Sequence, residues 1–241
     1  MGNPVVHFEI GAADHQSLVT FYGELFGWGL RAVSEGYTLI DTRGGRGLNG
    51  GIGRSDSGEP WATCYVEVDD LQASLDRAEG LGGRTLLPIT ELAGMAFAMA
   101  GDPDGLLVGL VRGGAAHDQV FQRPSGGDGA AVDWFEVLGS DAGRSQAFYA
   151  ELFGWTVPEG AYGQVSPEDG RGIGGGIGAG GDERWATVYA DVDDVEAALA
   201  RAEALGGTRV YGPIQAGERT WTGAFRDPAG NLFGVYHRPA S

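Results

Sequence analysis

The first quarter of the chain changes from a strand-like to a helix-like hydrophobic pattern. Residues Val5–Ile10 alternate, with every second side chain apolar, which predicts a strand. Asp14 is a favourable N-cap, and the apolar residues after it recur at the spacing of one buried helix stripe: Leu18, Phe21, Tyr22, Leu25 and Phe26. Gly27 then predicts the end of the helix. Three short strands are predicted to follow, near Trp28–Val33, Tyr37–Asp41 and Leu48–Gly53.

The same order of elements then begins again. Residues Ala62–Val68 alternate and predict a strand, Asp69 or Asp70 caps a second helix, and Gly82 ends it. Three more strands are predicted near Arg84–Leu87, Ala96–Ala100 and Leu106–Val111. The first half of the sequence is therefore expected to hold two βαβββ modules.

The second half of the chain repeats the first. Phe21–Trp28 returns as Phe148–Trp155, and the turn Asp102–Gly105 returns as Asp227–Gly230. The segment Trp61–Thr63 also returns, in the same order, as residues 185–187. Ordered matches at one period indicate an internal duplication. We therefore predict one domain at residues 1–113, a linker rich in Gly, Ala and Ser at 114–129, and a second domain at 130–241.

Charge and composition narrow the classes of partner. The formal net charge is −17, which argues against binding to nucleic acid or to an anionic membrane, because both are bound mainly through Lys and Arg. The N-terminal residues lack the pattern of a signal peptide, and the longest apolar stretch is too short to span a bilayer, so we expect a cytoplasmic protein. Cys64 is the single cysteine, which excludes an intrachain disulfide and a zinc site built from several cysteines.

The repeated motifs resemble the vicinal oxygen chelate superfamily, which includes glyoxalase I, bleomycin resistance proteins and extradiol dioxygenases. The resemblance rests on the helix Phe21–Trp28 with its copy, on the helix start Val68–Asp70 and on the turn before the last strand of each half. It implies an α+β fold in which four βαβββ modules form two paired domains with curled mixed sheets, each sheet enclosing a cavity. A tandem chain contains both halves of this architecture, so we expect a monomer.

Metal-dependent members of this family carry four ligands on inward-facing strand positions, and the resemblance places those positions here. The first falls on His7 in one half and on Trp134 in the other. The other positions fall on residues that ligate metals poorly or not at all: Thr63, Thr187, Gly109, Gly234 and the Gly- and Ile-containing strands 50–53 and 175–178. His7 is the only surviving candidate, so we expect no metal cofactor. The lesser alternative is an atypical divalent metal site that includes His7.

Strand alternation predicts which side chains face the cavities. Apolar residues such as Phe8 and Cys64 face the helices, which turns Glu9, Glu67 and their copies inward. The candidate ligand-binding residues on the inward positions are His7, Trp61, Thr63, Tyr65, Trp134, Trp185, Thr187 and Tyr189. Each aromatic residue could equally pack against the rest of the sheet, and His7 could be a hydrogen-bonded wall residue.

Glu9 and Glu136 occupy equivalent inward positions, and two roles are open for them. They are the candidate catalytic residues, since a carboxylate in a dry cavity can act as a general base. They could instead accept hydrogen bonds from Tyr, Trp or backbone donors. The glycine-rich runs 44–53 and 170–181 lack the ending of a phosphate-binding loop and are expected to be hairpins, with a lid over the cavity as one role.

Three functions are compatible with these residues. The first is a binding protein that holds a small, partly aromatic organic molecule in a metal-free cavity. The second is a lyase or isomerase of the glyoxalase type that acts on a small carbonyl or polyketide-like substrate. A purely structural role is the third, and inward-facing carboxylates argue against it because an empty dry core would leave them unsolvated.

Overall fold

The computed structural model describes residues 2–92, 94–114, 122–167, 170–181 and 183–239. Four helices are present in this part of the chain: α1 (His15–Phe26), α2 (Leu71–Gly80), α3 (Ala142–Phe153) and α4 (Val195–Ala204). The strands of the first half are β1 (Val5–Ala12), β2 (Gly29–Ser34), β3 (Tyr37–Asp41), β4 (Gly50–Arg54), β5 (Trp61–Val68), β6 (Arg84–Leu92), β7 (Met95–Gly101) and β8 (Leu107–Arg112). Those of the second half are β9 (Ala131–Gly139), β10 (Tyr162–Val165), β11 (Gly174–Ala179), β12 (Trp185–Asp191), β13 (Thr208–Gln215), β14 (Trp221–Arg226) and β15 (Leu232–His237).

The strands form one sheet from each half of the sequence. The first has the order β2-β3-β4-β1-β5-β8-β7-β6, and the second has the order β10-β11-β9-β12-β15-β14-β13. Within each sheet, parallel pairs such as β1–β4 and β12–β15 alternate with antiparallel hairpins. The predicted α+β class with curled mixed sheets is confirmed.

An aspartate starts every described helix, as the sequence predicts for α1 and α2. The carboxylates of Asp14, Asp70, Asp141 and Asp194 each accept a hydrogen bond from the backbone N–H three residues later, at 2.7–3.2 Å. Helices α1 and α3 end at glycines in the left-handed conformation, with φ of 67° and 69°. These caps satisfy groups that the ends of a helix leave unpaired, so the boundaries are set locally.

The third module has one strand fewer than predicted. Residues 155–161, the copies of those that lead into and form most of β2, adopt no regular structure. Pro158 lies within this segment and has no N–H to donate to a sheet. Gln146 on α3 instead holds the segment, because its side-chain amide donates to the carbonyl oxygens of Gly160 at 2.9 Å and Ile177 at 3.0 Å. The equivalent residue of α1, Val19, could not make these bonds.

The described residues fall into two compact units. Unit 1 lies within Met1–His7, Thr63–Gln122 and Trp134–Ala186, and unit 2 within Phe8–Ala62, Arg123–Asp133 and Thr187–Ser241. Unit 1 contains α2 and α3, and unit 2 contains α1 and α4. The sequence boundaries at 1–113 and 130–241 stay a prediction, and seven of the sixteen residues of the proposed linker, 115–121, lie outside the described residues.

The aromatic residues of the repeated helix motif build the core of each unit. In unit 2, the Tyr22 ring lies 5.7 Å from that of Trp28 and 5.3 Å from that of Phe233. In unit 1, Tyr149 stacks on Trp155 at 6.3 Å. Burial of such rings dominates the apolar contribution to stability, so the motif is explained by packing.

The tyrosine of each motif is also tied to the repeated turn. In unit 2, the Tyr22 hydroxyl donates to Asp227 at 3.0 Å, and in unit 1 the Tyr149 hydroxyl donates to Asp102 at 3.2 Å. Burial, followed by the nearby carboxylate, raises the pKa of both tyrosines, which keeps them protonated as donors. Each pair therefore links a helix from one half of the sequence to a turn from the other half.

The helices pack on one face of each sheet. The opposite face of each sheet is its inner face. On β7, the buried residues Ala96, Ala98 and Ala100 face the helix side. Phe225 on β14 faces the same side in unit 2, because its ring contacts that of Phe21 on α1. Burial of the Cys64 thiol raises its pKa to about 12, so the thiol stays protonated and unreactive at neutral pH. Each described helix is too short or too polar to cross a lipid bilayer.

Candidate functional site

Glu9 lies in unit 2, on the inner face of the first sheet, between two aromatic residues. Tyr37 on β3 reaches over β4 and donates its hydroxyl hydrogen to Glu9 at 2.6 Å. The residue it crosses is Gly51, where a Cβ atom would lie 2.2 Å from the Tyr37 oxygen. On the other side, the Trp61 indole covers Gly11, where a Cβ would lie 2.2 Å from the ring. The glycines therefore let two aromatic rings lie flat on the sheet beside the carboxylate.

Glu136 has the same surroundings in unit 1. Tyr162 donates to one carboxylate oxygen at 3.1 Å, and the Trp185 indole N–H donates to the other at 3.0 Å. Tyr162 crosses Gly176, where a Cβ would fall 1.7 Å from its hydroxyl oxygen. These are the Tyr and Trp donors that the sequence analysis left open for the two glutamates. Burial, and then the nearby Glu9, raises the pKa of Tyr37, so this tyrosine stays a proton donor.

The other predicted residues separate into buried and partly exposed groups. His7 is fully buried, and its ring meets the edge of Tyr65 at 5.9 Å between centroids. Thr63 and Thr187 are buried and donate to backbone carbonyls of the neighbouring strands at 2.8 and 2.6 Å. Tyr189 is buried and shares a 2.9 Å hydrogen bond with Tyr211. The candidates that keep part of their surface exposed are Trp61, Trp134, Trp185, Glu9 and Glu136.

Tyrosine rings fill the space at the predicted metal-ligand positions of the last strands. A Cβ on Gly109 would lie 2.5 Å from the Tyr65 ring, and one on Gly234 would lie 2.1 Å from the Tyr189 ring. Each glycine is paired with its tyrosine across the parallel strands β5–β8 and β12–β15. The two tyrosines therefore occupy the volume that a ligating side chain would need.

The donors around His7 do not match the usual ligand set of a protein-bound zinc ion. Within the described ranges, no group of three or more His, Cys, Asp or Glu side chains is close enough to hold an ion. In the half that contains His7, the positions expected for further ligands carry Thr63, Gly109 and the Gly- and Ile-containing strand 50–53. One imidazole cannot replace the three or four ligands that protein-bound zinc normally has.

The glycine-rich runs carry arginines that the sequence analysis did not single out. In unit 2, Arg46 pairs with Asp133 and Asp191, and Tyr236 donates to Asp133. The pKa of Asp191 lies above its usual value because burial raises it more than the nearby Arg46 and His237 lower it. In unit 1, Arg171 binds both oxygens of Glu67 at 2.9 Å. These ion pairs hold the start of each run in place, and the lid role stays a prediction.

Tyr37 and Tyr162 were likewise missed, although a signal was available. Each of these tyrosines stands on a strand that pairs with a glycine-rich strand. Once the strand order is known, each tyrosine is seen to lie two strands away from a glutamate. Strand order is a long-range property, which alternation within one strand does not reveal.

Two family models match the chain, one in each half. The model described as the glyoxalase/bleomycin resistance protein/dioxygenase superfamily matches residues 5–110, and the model of a glyoxalase-like domain matches residues 134–236. The chain belongs to the vicinal oxygen chelate superfamily. Its two glyoxalase-like domains stand in tandem, as the repeated motifs predicted.

Curated relatives resemble this tandem vicinal oxygen chelate protein over nearly its whole length. "Putative glyoxylase CFP32" from Mycobacterium tuberculosis is 28% identical over 94% of this chain and 92% of its own. "Anthracycline biosynthesis protein DauV" from Streptomyces sp. strain C5 is 28% identical over 95% of this chain and 90% of its own. A second protein of the latter description, DnrV from Streptomyces peucetius, is also 28% identical.

Solved structures share the fold at low sequence identity. The Mn(II)-bound glyoxalase from Novosphingobium aromaticivorans superposes with a TM-score of 0.67 at 15% identity, covering 98% of this chain and 82% of that one. The 2,3-dioxygenase LapB from Pseudomonas sp. KL28 gives 0.68 at 15% identity, covering 100% and 95%. At least one structural relative thus holds a metal ion. This chain lacks metal-ligating side chains at most of the positions expected for them.

Proposed function

We propose that this protein binds a small, planar, partly aromatic organic molecule on the inner face of a sheet, without a metal ion. The observation that carries the proposal is the repeated row of Tyr, Glu and Trp over glycine strands. It places a flat aromatic surface next to a carboxylate in both halves of the chain.

The chemistry of these groups suits such a ligand. Trp61, Trp134 and Trp185 keep part of their surface exposed, and indole rings stack well on planar molecules. Tyr37 orients Glu9, and Tyr162 with Trp185 orients Glu136, so each carboxylate is an oriented polar group within an aromatic wall. Preformed apolar sites with a few oriented polar groups are typical of small-molecule binding.

Two of the relatives support the same class of ligand. DauV and DnrV are named for anthracycline biosynthesis, and we transfer from them only the expectation of an aromatic, polyketide-like molecule. We further propose a monomer that acts in the cytoplasm without a nucleic-acid or membrane partner, on the strength of the tandem repeat and the net charge of −17.

Acridine, a planar tricyclic probe that absorbs where tryptophan emits, is expected to bind and to quench the tryptophan fluorescence. We expect at least one of the variants Trp61→Ala and Trp185→Ala to weaken the affinity for acridine about 30-fold. The reason is that stacking and the lost contact area together amount to about 2 kcal/mol. Trp221→Ala is the matched control, because Trp221 is 46% exposed on β14, outside both rows. A fluorescence titration of each variant measures the dissociation constants.

The lyase or isomerase remains the second candidate, and the 2.6 Å contact of Tyr37 with Glu9 favours it over a purely structural pair. A carboxylate that a neighbouring hydroxyl holds in one orientation can act as a general base. If methylglyoxal or its glutathione adduct were turned over, and Glu9→Gln or Glu136→Gln abolished the turnover, the enzyme would replace the binding protein. If acridine failed to quench and no turnover occurred, both proposals would be wrong.

A further inference from the structure

Arg46 stands in the first glycine-rich run, in unit 2, and its charge is shared by two carboxylates. Its guanidinium forms ion pairs with Asp133 at the start of β9 and with Asp191 at the end of β12. The hydroxyl of Tyr236 on β15 also donates to Asp133. The Arg46 side chain is half exposed, whereas both carboxylates are mostly buried. These four residues and His237 form the Arg46 cluster.

The two carboxylate oxygens of Asp191 have unlike surroundings. Oδ2 contacts Arg46, whereas Oδ1 is buried and accepts no hydrogen bond from any residue that the structure describes. Nδ1 of His237 lies 4.0 Å from Oδ1, but it donates its hydrogen to the carbonyl oxygen of Val192 at 2.8 Å. A buried oxygen without a donor destabilises the charged form of the acid. Asp191 is therefore the carboxylate of the cluster that is best placed to take up a proton.

The charges around Asp191 do not balance. Titratable or charged groups lie around it on its own segment, on the run, on β9 and at the end of β15: Asp193, Arg46, Asp133, Tyr236, His237 and Arg238. With His237 neutral, Arg46 and its two aspartates carry a net charge of one negative unit. A proton on Asp191 leaves Arg46 and Asp133 as a balanced pair, in which Asp133 also accepts from Tyr236.

Proton uptake by Asp191 and release of Arg46 favour each other. Asp191 stands on β12, which lies between β9 and β15, so neighbouring strands contribute to its burial. Arg46 lowers the pKa of Asp191 and burial raises it. If Arg46 moves away while the strands stay in place, the pKa of Asp191 rises further, because a nearby positive charge is lost. By linkage, a fall in pH then favours the state in which Arg46 is released.

The backbone beside Arg46 is bonded to the segment before β9 and to its first residues. The amide of Gly45 donates to the Ser125 carbonyl oxygen at 2.9 Å, and that of Leu48 donates to the Val132 carbonyl oxygen at 2.8 Å. Ordering a glycine-rich backbone costs more conformational entropy than ordering other residues. The Arg46 ion pairs therefore help to keep these two backbone bonds closed.

The corresponding ion pair in unit 1 is built differently. Arg171 binds both carboxylate oxygens of Glu67, each at 2.9 Å, so both oxygens have a donor. The positions of Asp133 and Tyr236 are taken by Val6 and Val111 in the other half of the sequence. Arg171 and Glu67 thus form a balanced pair, which makes them a control within the same chain.

We infer that Asp191 and Arg46 form a pH-sensitive lock on the first glycine-rich run: when Asp191 takes up a proton, Arg46 is released and the backbone bonds of residues 44–48 open more often. This lock concerns no ligand, so it does not depend on the proposed function. It makes the first run, and not its copy in unit 1, responsive to mild acidification.

Amide hydrogen exchange of the intact chain, measured by NMR and corrected for the intrinsic pH dependence of the exchange rate, tests the lock. The protection of the Gly45 and Leu48 amides is expected to fall about fivefold as the pH is lowered from about 7 to about 4.5. Labelling with 13C-aspartate follows the Asp191 carboxyl group under the same conditions, and the signal that disappears in Asp191→Asn identifies it. The midpoint of its titration should coincide with that of the loss of protection.

Substitutions hold the lock in one state or shift its midpoint. Asp191→Asn keeps the shape of the side chain without its charge, and Arg46→Gln removes the partner, so both should show the low protection of Gly45 and Leu48 at either pH. His237→Gln removes a charge that favours ionised Asp191, so the midpoint should move to higher pH. Glu67→Gln in unit 1 is the matched control and should leave the protection of both amides, and its pH dependence, unchanged.

Two results with the unmodified protein would overturn the inference. One is protection of Gly45 and Leu48 that does not change with pH, and the other is a loss of protection while the Asp191 carboxyl group stays ionised. A pH dependence that persists in Asp191→Asn would overturn it as well. Because the first two results need no substitution, they decide the question even if a variant fails to fold.

Discussion

Replacing Asp227 with alanine is expected to lower the free energy of unfolding by about 4 kcal/mol. One carboxylate oxygen accepts from the backbone N–H groups of Ala229 and Asn231 at 2.9 and 3.0 Å. The other accepts from Tyr22 at 3.0 Å and from the Asn231 side chain at 2.9 Å. Because Asp227 is buried, truncation leaves several buried donors without an acceptor. Urea unfolding followed by circular dichroism measures the loss.

The controls for this prediction lie within the chain. Tyr22→Phe removes one of the four bonds and is expected to cost about 2 kcal/mol, as is typical of a hydrogen bond to a charged group. Asp56→Ala removes a carboxylate that is 92% exposed and should change stability by less than about 0.5 kcal/mol. A small effect of Asp227→Ala, similar to that of Asp56→Ala, would show that the repeated turn does not hold the helix motif.

The substitution Gly234→Ala is expected to destabilise the protein by about 3 kcal/mol, or about 6–12 °C in Tm. The new Cβ would lie 2.1 Å from the Tyr189 ring. That ring cannot move aside easily, because Tyr189 is buried and its hydroxyl is bonded to Tyr211. Differential scanning calorimetry measures the shift.

A second substitution separates this steric effect from a general preference for glycine in the strand. In a Tyr189→Ala background, the added methyl group of Gly234→Ala has room, so its cost should fall below about 1 kcal/mol. Gly80→Ala, at a position where a Cβ meets nothing within 4 Å, should be neutral or stabilising. An equal cost of Gly234→Ala in both backgrounds would contradict the account of tyrosine filling the ligand position.

The sequence is informative about this fold where the signal is local or repeated. Alternation on β1 and β5 predicted that Phe8 and Cys64 face the helices and Glu9 the opposite side, because the period of two leaves one choice once one face is apolar. The missing strand after α3 was not predicted, since residues 155–161 align with the strand-forming residues of the first half. Pro158 and the amide of Gln146 decide the outcome there.

The site was predictable in its residue types and less so in its contacts. Register alone predicted that Glu9, Glu136, Trp61 and Trp185 face inward, and their role in binding stays a prediction. Tyr37 stands two strands from Glu9, and its contact depends on strand order and on Gly51 between them.

Metal dependence tests the central claim most directly. Acridine binding would be measured with protein treated with EDTA and then dialysed, and again after addition of Mn(II) or Zn(II), with elemental analysis of each sample. Because threonine, glycine and isoleucine stand at the expected ligand positions and tyrosine rings fill the space beside Gly109 and Gly234, we expect less than about 0.1 metal ion per chain after purification and the same acridine affinity in all samples. About one tightly held metal ion per chain, lost in His7→Ala and required for binding or turnover, would contradict the account.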